Sequence, residues 1–124
     1  MERVLLVGLA GGIGAILRYA VVTWTERAFG TSFPWGVLGV NVVGSFLIAL
    51  VMVLAVTKAD LSPTLRVTIT AGFLGGLTTY SSFNQDTFSM LDRKLYGTAA
   101  LYVGVTLVAC LSAGVLGTAI GRKL

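Results

Sequence analysis

Residues 37–56 run for twenty positions without a charged side chain, and three other stretches of the chain nearly match them. About 20 mostly apolar residues are what an α-helix needs to cross the hydrocarbon core of a bilayer. The first stretch is 4–22, interrupted only by Arg18. The third is 67–90, with Asp86 its only charge, and the fourth, 98–120, has none. Backbone N–H and C=O groups in hydrocarbon must be satisfied within the structure, which restricts such spans to helices. The rest of the chain is short and polar. TWTERAFGTSFPW, with charges, a proline and two tryptophans, reads as an interfacial loop; KADLSPTLR, broken by Pro63, and DRKLYG read as connections. The expectation is an all-α membrane protein, a single unit of four spans over residues 1–124, with no room for a catalytic domain outside the bilayer.

Several classes fall away at once. The net charge of +4 is spread over nine scattered basic residues, which form no nucleic-acid patch. The opening MERVLLVGLAGG has too small a basic region for a signal peptide, and three more spans follow it. The single cysteine, Cys110, forms no internal disulfide and reads as a small apolar packing residue. No nucleotide motif, histidine or carboxylate pair supports an enzyme or an energised pump. Four spans put both termini and the second loop on one side, with Arg3, Lys58, Arg66, Arg122 and Lys123. The other side has Arg27, Arg93 and Lys94, plus Arg18 if it reaches that way. Basic residues in short loops orient membrane proteins. So flat a bias fits either one narrowly favoured orientation or copies inserted both ways.

GGLTTYSSFN, residues 75–84, lies where the middle of the third span belongs. Were it a loop, neither flanking segment would be long enough to cross, so it sits near the bilayer midplane. Polar or irregular backbone at that depth survives only when buried in protein or lining a wet cavity. Gly75-Gly76 followed by Thr78-Thr79 is the expected helix break, and exposed carbonyls there suit a hard cation. Beyond it, Tyr80, Phe83, Asn84 and Thr87 fall on one helical face. Ring edges, together with the hydroxyl and amide donors of Thr79, Ser81, Ser82 and Asn84, can solvate a small anion. They do so without a full positive charge that would bind it too tightly to pass.

Asn41, within the second span, reads either as an interhelical hydrogen-bonding residue or as a donor lining the same path. Arg18 reads either as a snorkelling anchor or as a cation drawing anions to a pore mouth. Asp86, the one acid within a span, is thin support for a proton-coupled pump and reads as a vestibule residue. The pairs Gly8/Gly12, Gly72/Gly76 and Gly117/Gly121 are GxxxG spacings on separate spans. So many contact faces on four short helices favour an oligomer, a twofold dimer being the commonest.

Three motifs in order resemble the Fluc (CrcB) family of fluoride channels: GGIGAILRY at 11–19, GVLGVNVVG at 36–44 and GFLGGLTTYSSF at 72–83. The resemblance covers nearly the whole chain. It implies an antiparallel, dual-topology homodimer with two pores and a broken third helix at its centre. It further implies a structural sodium ion (Na+) held there by the carbonyls of Gly75 and Thr78. Tyr80 and Phe83 would line the pores, Asn41, Thr79, Ser81 and Ser82 would supply donors, Arg18 would sit near a vestibule, and Tyr102 matches a pore tyrosine more loosely. Tyr80 stands where the family has Phe, Ser82 where it has Thr, and Val37 where it has Thr.

The function that follows is passive, fluoride-selective export across the bacterial inner (plasma) membrane. Two rivals differ in class. A small multidrug-type transporter needs a carboxylate in its first span, where this chain has Arg18. A non-transporting assembly subunit leaves the midplane polar stretch without a purpose.

Overall fold

A computed structural model describes residues 1–58 and 60–124. Helix α1 spans Glu2–Phe29 and α2 spans Trp35–Thr57. The third region is built of α3 (Pro63–Val67), a π-helical segment (Thr68–Leu74), α4 (Gly75–Leu77) and α5 (Tyr80–Asp92). Helix α6 spans Tyr96–Lys123. No strand occurs among the described residues. Helices α1, α2 and α6, of 28, 23 and 28 residues, are long and apolar enough to cross a membrane. At 1.5 Å per residue even the shortest reaches about 35 Å, more than the roughly 30 Å of a hydrocarbon core.

Two boundaries differ from the expected ones. Helix α1 does not stop near residue 22 but runs through TWTERAF to Phe29, because no glycine or proline interrupts it. It ends at Gly30, whose φ of 82° is open to glycine and costly for other residues. The connection to α2 is therefore only residues 30–34. Likewise PTLR is helical rather than loop: Ser62 caps α3 by accepting from the Leu65 N–H at 3.1 Å, and Pro63 occupies the first turn. Ala59, within that expected connection, lies outside the described residues.

The third region is helical over 63–77 and again over 80–92, and Thr78 and Thr79 between them are extended. Their φ/ψ values are −90°/155° and −154°/122°. The two pieces measure about 22 and 20 Å at helical rise, so neither crosses alone. The break falls at the threonines, while Gly75 keeps helical values of −62° and −36°. Just before it, the Thr68 and Thr70 hydroxyls bond back to the carbonyls of Thr64 and Arg66 at 2.8 and 2.9 Å. Such back-bonding loosens the helical ladder, in keeping with the π-helical turn there.

The glycines are packing surfaces. A Cβ on Gly76 would run into the Gly11 carbonyl, and one on Gly14 into the Phe73 carbonyl. Val7 lies against Gly72 and Gly11 against Gly76, so α1 and the 63–77 helix run parallel with their backbones in contact. Gly117 meets the Phe46 carbonyl and Gly121 meets Val53, which joins α6 to α2 in the same way. A Cβ on Gly8 or Gly12 would meet nothing among the described residues. The core consists of two small clusters, Leu38–Met90–Ala99–Tyr102 and Val40–Leu74–Leu77, both anchored on α2. Leu9, Ile16 and Val115 stand 68–70% exposed. Helices so apolar on their outer faces need lipid or another protein there, which makes this a membrane protein.

Candidate functional site

Breaking a helix strands polar backbone groups, and at this depth each needs a new partner. The Thr79 N–H, which would have closed onto Gly75, instead donates to Asn41 Oδ1 at 2.8 Å. Asn41 Nδ2 donates to the Thr79 carbonyl at 3.1 Å. Thr79 Oγ1 caps α5 by accepting from the Ser82 N–H at 3.1 Å, while Arg18 Nε donates to the Gly76 carbonyl at 3.1 Å. The Thr78 N–H and hydroxyl both return to the Leu74 carbonyl, at 3.0 and 2.9 Å. Gly44, three residues after Asn41, lets the break lie against α2, since a Cβ there would strike the Thr78 methyl.

An open groove of about 460 Å³ runs along the break. Asn41, Gly75, Thr78, Thr79, Tyr80 and Phe83 contribute to its lining. Tyr80 projects from the chain at 74% exposure, with its ring edge-on to Phe83 at 5.6 Å. Thr106 on α6 also lines the groove, and its hydroxyl is buried with no hydrogen-bond partner among the described residues. Buried hydroxyls are nearly always paired, so an unpaired one beside the groove is unusual. Asn41 also keeps a spare amide N–H after bonding to Thr79. The groove thus offers neutral donors and ring edges, a set that can replace the hydration shell of a small anion. Gly75 is exposed, and its carbonyl has lost its helical N–H, as a hard cation's ligand requires.

A second cavity, of about 430 Å³, lies behind the break and is lined by Arg18, Val37, Ser82, Gln85 and Asp86 among others. Tyr102 is fully buried, packs on Phe33 and Phe83 at centroid distances of 5.4 and 5.1 Å, and donates its hydroxyl to Asp86 Oδ2 at 3.2 Å.

The residues singled out in the sequence therefore separate. Asn41, Thr79, Tyr80 and Phe83 share the groove with Gly75 and Thr78, whereas Arg18 and Ser82 face the second cavity. Ser81 is exposed, 3.2 Å from Thr79 Oγ1. Tyr102 lines neither space and touches Asp86, and Arg18 turns inward to backbone. Asn84 and Thr87 do not line the groove, and the Thr87 hydroxyl bonds back to the Phe83 carbonyl at 2.8 Å. Thr106 is not among the expected residues, and nothing in the sequence singles it out, because its unpaired hydroxyl depends on packing.

The chain matches the family model described as CrcB-like protein, Camphor Resistance (CrcB), over residues 5–118. It is 45% identical over all its 124 residues to the fluoride-specific ion channel FluC of Sorangium cellulosum, covering 98% of that protein. The FluC proteins of Citrifermentans bemidjiense and Agrobacterium fabrum are 44% and 42% identical over the same length, with 100% and 99% of each covered.

Proposed function

The chain belongs to the CrcB family, and on that premise we propose that it is a fluoride-selective ion channel, not an enzyme. The observation that carries this reading is the groove, where Asn41 pins the extended Thr79 beside Tyr80, Phe83 and the unpartnered Thr106 hydroxyl. Neutral donors and ring edges hold a small, strongly hydrated anion loosely enough for it to leave again. Hydrogen fluoride enters a cell uncharged, ionises in the neutral cytoplasm and is trapped there. A selective pore in the bacterial inner membrane lets the anion leave down its electrochemical gradient, helped by the negative potential of the cell interior.

The pore itself is shared between two copies. The groove is open on one side, and Tyr80 and Gly75 are exposed along it. A second copy in antiparallel orientation would close it, and the five-to-three balance of loop charges supports insertion both ways. At the shared centre the Gly75 and Thr78 carbonyls of both copies would hold a sodium ion. Bound there, such an ion supplies charge that ties the two breaks together. Arg18 and Ser82 would line the approach to the pore.

The test is fluoride efflux from liposomes containing only the purified chain, with chloride followed in parallel. Fast fluoride loss with negligible chloride loss is expected. Absence of fluoride flux, or equal flux of both ions, would refute the assignment.

A further inference from the structure

We infer that Arg18 is a positioning residue for the helix break, acting through its Nε–H rather than through its charge. The inference rests on the channel reading for its effect on flux, but its structural part stands on geometry alone. In an unbroken helix the Gly76 carbonyl would receive the Tyr80 N–H. The extended Thr78 and Thr79 remove that donor, and Arg18 Nε takes its place at 3.1 Å across 58 residues of sequence. Reach makes this possible. Side chains on a helix lean back toward its N-terminus, so Arg18 lies down over the level of Gly14. Gly14 is where α1 meets the Phe73 carbonyl and the Leu77 amide, and no larger residue fits there. Arg18 from α1 thus holds the last turn before the break, and Asn41 from α2 holds the first residue beyond it. Between these two grips the Gly75–Thr78 backbone is fixed.

Three substitutions separate donor from charge. Gln places an amide nitrogen at the same bond separation from Cα as Arg Nε, without charge. Lys keeps the charge but has a methylene at that atom, and Met keeps neither. Amide exchange over residues 75–83 is measured on the full-length protein in liposomes, alongside fluoride and chloride efflux. Arg18→Gln is expected to keep the protection of this segment and more of the fluoride flux than Arg18→Lys. Arg18→Lys and Arg18→Met are expected to lose protection there and to lose fluoride flux by up to roughly tenfold, the size of one ordinary hydrogen bond. Protection retained in Lys and lost in Gln would show that charge is what matters and overturn the inference. Equal exchange in all three variants would overturn it too. A wild-type protein silent for fluoride, with the exchange order Gln above Lys intact, would sink the channel reading and leave the positioning role standing.

Discussion

Asn41 grips both backbone groups of Thr79, accepting its N–H at 2.8 Å and donating to its C=O at 3.1 Å. The two residues lie 38 apart in sequence, so a side chain on α2 treats an extended residue as a neighbouring strand would. The break is held in place by this pairing, since an amide is the one side chain that offers a donor and an acceptor side by side.

Asn41→Leu leaves both Thr79 groups without a partner at a position only 9% exposed. It is expected to destabilise the protein by on the order of 2 kcal/mol or more, and to lower fluoride efflux at least tenfold. Asn41→Asp keeps the acceptor and loses the donor, and should fall between Leu and wild type in stability. Unfolding in detergent and liposome efflux read the two effects. Wild-type behaviour from Asn41→Leu would mean that the break holds itself.

Much of this was legible in the sequence, because it depended on composition over long windows. The three long helices follow from uncharged runs, and the position of the polar stretch within the third region follows from span length. What could not be read is which groups the break would find. Helical spacing relates Arg18 to Gly14, but nothing in it relates Arg18 to the Gly76 carbonyl. The expected break covers Gly75-Gly76 and Thr78-Thr79, and of these only the threonines are extended, because Gly76 stays helical where α1 comes too close for a Cβ. The same limit hid Thr106, whose unpaired hydroxyl is a fact of packing.

Glycines should differ in tolerance according to what a methyl group would meet. Gly14→Ala and Gly76→Ala force a methyl into the Phe73 and Gly11 carbonyls, and each is expected to destabilise by about 1–3 kcal/mol or more. Gly104→Ala meets nothing among the described residues and gains helix propensity, so the subunit should tolerate it. Thermal unfolding in detergent at low protein concentration distinguishes them. A destabilising Gly104→Ala would instead assign that face to contact between copies.

Tyr80 presents its ring and hydroxyl to the groove at 74% exposure, so its loss disturbs little internal packing. Tyr80→Phe is expected to change stability by no more than about 0.5 kcal/mol. It should also raise fluoride efflux severalfold, because a pore ligand that binds less tightly releases its ion sooner. Tyr80→Ala removes the ring edge beside Phe83 and should lower efflux. Identical efflux from the wild type and Tyr80→Phe would place the phenol outside the path.

Thr106 separates function from stability most sharply. Its hydroxyl is buried and unpaired among the described residues, so Thr106→Val, nearly the same shape, should stabilise the subunit by about 1 kcal/mol. If the hydroxyl serves a passing anion, the same change lowers fluoride efflux, and Thr106→Ser restores both properties toward wild type. Unfolding and efflux on one preparation measure the pair. Stabilisation with unchanged efflux would mean that the hydroxyl is an unused polar group. Destabilisation would mean that a second copy supplies its missing partner, because burying an unpaired hydroxyl opposes folding unless binding later satisfies it.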